Sequence, residues 1–298
     1  MASKAKHRRA PVSAFGFVVG FLLVIYSLGL IALLLWAVNT SLKTDDNYFL
    51  DQLGLTKTWS FPNYVNSFKA MRVQVNARGG GKRYAYFWEM FLNSVLYAGG
   101  AAFFQTFTTA LVAYLTSRYH NWVSKVIHNT VIVTMLIPVV GSLASTLQMA
   151  VNLHIYDQLW GMYILKIGFN NIYYLIFYAA FSRIPDDYTE AAYLEGASHW
   201  RIFSRVMLPI QMPLVGVVFL LLFIGYWNDY QVPLLFIPDY PTLAVGLFQF
   251  LNNDTTTQMA SVPYKVTGGV LVLIPLLILF LIFKKQLMAN IDDGGIKG

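Results

Sequence analysis

No cysteine occurs among the 298 residues. Disulfides, thiolate metal sites and cysteine nucleophiles are therefore excluded, while the compartment stays open. Charge is scarce as well. Charged residues make up 12% of the chain, against roughly 25% in soluble domains. A phosphate-binding loop is missing: the run Gly79 to Lys82 lacks the glycine four residues earlier, no Ser or Thr follows Lys82, and no strand is expected before it. HExxH and Gly-x-Ser-x-Gly are absent, which removes two common signatures of hydrolytic enzymes. What the chain has in abundance is apolar surface. It is 57% hydrophobic and 16% aromatic, with a mean hydropathy of +0.53. Most of its surface must face something other than water. The net charge of +7 then gives no reason to expect nucleic acid. It asks where Lys and Arg lie relative to the apolar runs.

Those runs predict an all-α, polytopic membrane protein with six transmembrane helices: Phe15–Val38, Tyr86–Leu115, Val126–Met149, Leu159–Phe181, Ile210–Val232 and Val266–Phe283. The first run follows a basic head, residues 1–14, but its length exceeds the apolar core of a signal peptide. A polar connection, 39–85, holds a short amphipathic stretch, Phe61–Met71, and the flexible turn Arg78 to Arg83. The core spans 86–285, interrupted by a polar loop at 182–209, and a tail covers 286–298. Gly99-Gly100 suits close helix approach, and Pro138 with Gly141 marks a break within the third run. Lys and Arg cluster in the head, in 117–125, in the 182–209 loop and at the last run's end and tail (Lys284, Lys285 and Lys297), while 151–158 and 233–264 have none. The 39–85 loop, with seven, is the exception. The bias places both termini and the 182–209 loop in the cytoplasm of a cell-membrane protein.

The stretch Ile184–Pro213 stands apart, being polar and helix-forming between apolar neighbours. Pro185, Asp186, Asp187 and Glu190 suit a helix N-terminus. Tyr188, Ala191, Ala192 and Glu195 fall on one face, kept thin by the alanines. Gly196 stands where a C-terminal cap belongs, and Ser198 can cap a second helix from His199 to about Met207. Pro209 and Pro213 close it.

Glu190-Ala191-Ala192, Gly196 six residues after Glu190, and Val206-x-Leu208-Pro209 resemble the EAA motif of permease subunits in ATP-binding-cassette importers, with Val206 where Ile is usual. Trp227-Asn228-Asp229-Tyr230, Pro241-Thr242-Leu243, Asn63-Tyr64 and the Gly-Gly-Ile-Lys-Gly ending resemble the maltose-type carbohydrate permeases, so the likeness covers essentially the whole chain. The resemblance implies a type I importer permease fold and a transport subunit that is not itself an enzyme. It implies a second permease subunit, two ATPase subunits that bind the ATP and Mg, and an extracytoplasmic solute-binding protein that delivers a carbohydrate. No cofactor is expected in this chain. In that picture Glu190, Ala191, Ala192, Gly196, Leu208 and Pro209 form the ATPase-coupling contact, and Gly294, Gly295 and Lys297 lie near the ATPase.

Sugar sites combine aromatic faces with amide or carboxylate hydrogen bonds. Asn93, Tyr97, Gln148, Trp227, Asn228, Asp229 and Tyr230 are therefore candidates for the substrate pathway or gate, with Gln105, Asn152 and Tyr174 beside them. Taken alone, each is better suited to structural helix–helix hydrogen bonding than to a sugar contact. Glu89 is expected to cap its helix or pair with Lys82 or Arg83, and Lys166 to snorkel or pair. His154 and Asp157 are too few for a metal site. An intramembrane enzyme, kept as an alternative, would need a nucleophile–base pair or a metal cluster at matching depth. A sensor would need a signalling domain after the last helix, and a secondary transporter a coupling-ion site or inverted repeats, and neither is expected. An importer of the same class for a non-sugar solute shares the motif.

Overall fold

The computed structural model describes residues 14–77, 79–137, 141–252 and 261–294. Two compact units emerge: residues 1–67 with 254–270, and residues 68–253 with 271–298.

The first unit is built on α1 (Ala14–Ser41), α2 (Asp45–Leu50) and α3 (Pro62–Ala70, whose last three residues belong to the other unit). Helix α1 is apolar on every side and none of its most apolar stretch is buried. Its C-terminal end is a hub of hydrogen bonds. The Asn63 amide donates to the carbonyls of Ser41 and Lys43 at 3.0 and 2.9 Å, and the Tyr64 and Ser41 hydroxyls lie 2.6 Å apart. Thr267 donates to the same Ser41 carbonyl. Lys43 is buried and its ammonium donates to the Asp51 carbonyl at 2.6 Å. Asn63 thus closes the helix end by satisfying carbonyls that the helix leaves free, and Tyr64 holds the Ser41 hydroxyl beside them.

The second unit opens with a hairpin that an all-α reading does not include. Strands β1 (Arg72–Asn76) and β2 (Lys82–Tyr86) pair antiparallel. Val73 and Val75 are buried while Arg72, Gln74 and Asn76 are exposed, the period-2 pattern of a half-buried strand. Gly80 and Gly81 turn the chain with φ of 88° and 85°, a region open mainly to glycine. The expected flexible turn is therefore an ordered hairpin, and a strand does precede the glycines. The Glu89 expectation holds: Arg83 grips both its carboxylate oxygens at 2.7 Å.

Helix α4 (Phe87–Arg118) follows and is the axis of this unit. Its buried face is rich in small residues, among them Ala98, Ala101, Ala102, Ala110 and Ala113. Small side chains let neighbouring helices come close where no water drives them together. Gly100 shows the effect: a Cβ there would meet the Tyr163 ring at 2.3 Å.

The third apolar run is not one helix. It divides into α5 (Trp122–Leu136) and α6 (Ser142–Asn152). Gly141, with φ of 77°, starts α6, and Pro138 lies outside the described residues. The fourth run also divides, into α7 (Leu159–Lys166) and α8 (Ile172–Ser182). Gly168 and Asn170-Asn171 occupy the gap, residues that compete with helical backbone bonds. Then come α9 (Asp187–Leu194), α10 (His199–Ile202), a π-helical turn Phe203–Met207 and α11 (Leu208–Ile210). The expected single helix from His199 to Met207 is therefore a short helix widened into a π turn. A 78° bend separates this segment from α12 (Met212–Asn228), at the pair of prolines flanking Gln211. The fifth run thus starts at the bend and stops at Asn228. Next are α13 (Gln231–Phe236), α14 (Leu243–Leu251) and α15 (Val262–Gly294). Among the described residues three helices are long and apolar enough to cross a membrane, or four if the bent pair counts as one.

Candidate functional site

The polar interruption folds as a hairpin of helices, and each turn follows from a residue type. Helix α9 ends in a Schellman motif. Ala197 N–H donates to the Ala192 carbonyl at 3.0 Å and Gly196 N–H to the Tyr193 carbonyl at 2.9 Å. This closure needs a left-handed residue, and Gly196 supplies it with φ of 74°. Ser198 then caps α10, its hydroxyl accepting from Arg201 N–H.

Burial divides the hairpin into two sides. Ile184, Ile202, Phe203 and Met207 are buried in a cluster with Tyr114, Phe177 and Phe181. Ala192, Ala197 and Leu208 pack against that cluster. Glu190, Ala191, Glu195, Gly196 and Pro209 are exposed. The expectation of one face holding Ala191 and Ala192 together is thus corrected: Ala192 looks inward and Ala191 outward, as neighbours 100° apart on a helix must. The Glu190 side chain makes no hydrogen bond or ion pair among the described residues. Leu194, not singled out from the sequence, is 91% exposed at the tip. An apolar side chain one turn after Glu190 and two before the capping glycine is the signal that could have found it.

The hairpin is tied to the end of α4. The Arg118 guanidinium pairs with Asp186 and donates to the Ile184 carbonyl. Tyr119 Oη lies 2.7 Å from His199 Nδ1, and Tyr193 Oη lies 2.6 Å from the same nitrogen. Removal from water holds both phenols above their ordinary range. These ties escape sequence reading because Arg118 and Asp186 are 68 residues apart.

The candidates for the pathway scatter. Tyr97, fully buried on α4, donates to Asp229 Oδ2 at 3.0 Å, and Asp229 Oδ1 accepts from Val232 N–H in the first turn of α13. The Tyr226 hydroxyl donates to Gln105, and the Lys166 ammonium sits 4.9 Å over the Tyr226 ring. Tyr97, Asp229, Tyr226, Gln105 and Lys166 therefore form one polar cluster inside an apolar unit. Lys166 pairs with an aromatic face rather than a carboxylate. Asn93 is buried and holds the Pro241 carbonyl at 3.1 Å. Trp227 is buried against Phe91 and Phe223. Tyr230 stacks on Phe248 at 4.5 Å. Asn228 is exposed and bonds back to Ile224. Gln148, on exposed α6, donates to Asn152 at 3.0 Å. Tyr174 bonds to the Thr116 hydroxyl at 2.8 Å. Gly294 ends α15, while Gly295 and Lys297 lie outside the described residues. Among the described residues no cluster of three or more His, Cys, Asp or Glu could hold a metal ion.

A further polar site joins three loops. Asp239 N–H donates to Asp157 Oδ1 at 3.1 Å, and Asn76 donates to both Asp239 oxygens, from N–H at 2.8 Å and from the side chain at 3.3 Å. Loss of water and the Asp239 side chain beside it push Asp157 up to about 6. The donors from Asn76 hold Asp239 below the ordinary carboxylate value despite its own partial burial.

Comparison with known proteins gives consistent likenesses. The family profile for "Binding-protein-dependent transport system inner membrane component" matches residues 105–292. The chain is 24% identical to the diacetylchitobiose uptake system permease protein NgcG of Streptomyces coelicolor over 295 residues, 97% of this chain and 92% of that protein. It is 30% identical to the maltodextrin transport system permease protein MalD of Streptococcus pneumoniae over 213 residues, 70% of this chain and 74% of that one. Its fold matches a chain from the crystal structure of a bacterial ABC transporter involved in the import of the acidic polysaccharide alginate. That match has a TM-score of 0.72 at 18% identity and covers 91% of this chain and 95% of the other.

Proposed function

The chain belongs to the family of binding-protein-dependent transport system inner membrane components, and from that premise we propose that it is the permease subunit of an ATP-driven importer that carries a carbohydrate, an oligosaccharide, into the cytoplasm. The observation that carries the proposal is the likeness over 97% of the chain to a permease of a diacetylchitobiose uptake system, joined by one of a maltodextrin system. The second permease, the two ATPase subunits and the extracytoplasmic binding protein follow from the class of machine. This chain has no phosphate-binding loop, so the energy must arrive through contact with another protein.

The contact falls to the α9–α10 hairpin. Its outer side presents Glu190, Ala191, Leu194 and Gly196, a thin, uneven surface with a free carboxylate and an apolar tip. Its inner side is keyed into aromatic core. A push from an ATPase cleft on such an element moves the helices it is packed against rather than bending the loop. On this reading the two broken runs, α5–α6 and α7–α8, each cross the membrane once, as broken helices do where they border protein or a cavity. With α1, α4, α12 and α15 they complete six spans, both termini and the hairpin in the cytoplasm. Gly294, Gly295 and Lys297 then end near the ATPase. Within the unit the Tyr97–Asp229 cluster ties α4 to α12 and to the start of α13, which pairs a charge that would otherwise be costly inside a membrane.

The test has two parts. Co-purification on tagged bait should recover a second permease, an ATPase and a binding protein, and a chain active alone would sink the proposal. Calorimetry on the recovered binding protein should give heats with oligosaccharides; binding only of amino acids or inorganic anions would assign the importer to a non-sugar solute.

A further inference from the structure

Helix α4 is fastened at both ends. Near its start Asn93 holds the Pro241 carbonyl, Ser94 accepts from Leu243 N–H at 2.7 Å and Tyr97 holds Asp229. At its last residue Arg118 grips Asp186 and the Ile184 carbonyl, and the next residue, Tyr119, reaches His199. Between them the helix has no break over its 32 residues, about 48 Å at 1.5 Å per residue.

The Arg118 fastening has an unusual form. The arginine side chain is 8% exposed and its aspartate partner 79% exposed. Its Nε is buried without a hydrogen-bond partner among the described residues. A guanidinium is rarely placed in such a spot, and an ion pair with so open a partner adds little to folding. What the fork does supply is direction. It holds the residue before α9 and the last carbonyl before Pro185 at once, and a lysine could not hold both in a fixed plane. Asp186 makes no side-chain cap to its own helix, so its engagement is with Arg118. Tyr119, through His199 and Tyr193, fixes the other limb of the hairpin.

We propose that Arg118 and Tyr119 are positioning residues that lock the α9–α10 hairpin to the end of α4, so that α4 acts as the rod carrying hairpin motion to the Tyr97–Asp229 end. This rests on the hairpin being the ATPase contact. Removing the lock leaves a transporter that assembles and hydrolyses ATP but delivers that work poorly to the pathway.

The complete transporter, with its ATPase and binding protein, is reconstituted in liposomes. Two quantities are measured: sugar imported per ATP hydrolysed, and ATPase activity without binding protein. Arg118→Ala and Asp186→Asn are each expected to lower the import-to-hydrolysis ratio about three- to tenfold with ATPase activity retained. The double variant should be no worse than the poorer single, because the two act as one unit. Arg118→Lys should recover part of the loss. A structural role alone would instead lower the assembled amount and leave the ratio per complex unchanged, which overturns the inference, as would deficits that multiply in the double variant. Should Arg118→Ala fail to assemble, Tyr119→Phe and Asp186→Asn decide the matter, since each alters one group at the surface; normal ratios in both overturn it. A wild-type complex that imports no sugar would instead remove the functional reading beneath.

Discussion

Two polar regions of the second unit are built on opposite principles. In the hairpin, Glu190, Ala191, Leu194 and Gly196 face outward, and the backbone groups freed by the turns are satisfied locally, by the Gly196 closure and the Ser198 cap. In the Tyr97–Asp229 cluster the polar groups are turned inward and join distant pieces of chain: α4 to the start of α13, and α4 to α12. Exposed residues that do no internal work are free to serve a partner. Buried polar residues that bridge helices are needed first by the fold. The same residue types, a carboxylate with aromatic neighbours, therefore call for different readings in the two places.

The sharpest break of that comparison is in the hairpin. Pro at 196 cannot adopt φ of 74° and removes the N–H that bonds the Tyr193 carbonyl. Glu190→Lys reverses an exposed, unengaged charge. Both variants are expected to insert and accumulate at wild-type levels while uptake falls to background, measured with labelled sugar in whole cells. Gly196→Ala separates space from backbone strain. A Cβ there meets nothing within 4 Å, so its cost is the left-handed conformation alone, about 1 kcal/mol, and uptake should fall only partly. Survival of transport in both Glu190→Lys and Gly196→Pro would show that the outward face serves no partner.

The buried cluster should respond in the reverse order. Tyr97→Phe leaves Asp229 Oδ2 without its donor in an apolar unit, a loss of about 1–3 kcal/mol. The thermal midpoint of the detergent-solubilised complex should drop, with import per assembled complex changing less than the amount assembled. Asp229→Asn keeps one oxygen to accept from Val232 N–H, and its amide NH2 can donate to the Tyr97 hydroxyl oxygen in place of the bond that Oδ2 accepted, so its drop should be smaller. A Tyr97→Phe complex of normal stability but blocked transport would move this cluster from scaffold to gate.

How much of this was visible in the chain depends on how local the cause is. The long apolar runs of α1, α4 and α15 announce themselves, as does the turn chemistry of Pro185, Gly196 and Ser198, because a cap is decided by neighbours a few residues away. The hairpin Arg72–Tyr86 was legible too, in the alternation of Val73 and Val75 with polar residues, but a helix-period search across a membrane protein passes over it. The breaks at Gly141 and at Gly168–Asn171 were marked by breaker residues, yet hydropathy averaged over a long window smooths them away. The ties of Arg118 to Asp186 and of Tyr97 to Asp229 join residues 68 and 132 apart. No pattern within one chain carries such pairs. For the pathway candidates, residue chemistry alone named both the bridging Tyr97 and Asp229 and the unrelated Gln148, which only bonds to Asn152 one turn away.

The smallest expected effect tests the comparison at a third polar site, the Asp157–Asp239 pair, where two carboxyls share one network. Asp157 sits at about 6, above its ordinary 3.8, while Asp239 is held below the same value. A raised carboxyl binds its proton more tightly in the folded chain, so its contribution to stability is full below pH 3.8 and is lost as pH rises through about 6. Asp239 contributes in the opposite sense, losing its part as pH falls below its depressed value. Arg83, engaged bidentately by Glu89, is the nearby cation. Asp157→Asn keeps the acceptor for Asp239 N–H, removes the second charge, and suits the backbone at φ of 55°, a region that asparagine tolerates. Its thermal midpoint should therefore exceed wild type at pH 7.5 and converge with it as pH falls to 3.8, the ordinary carboxyl value, measured by unfolding of the solubilised chain. If the variant is instead less stable at both pH values, the ionised pair holds the three loops together, and this site belongs with the inward-turned cluster.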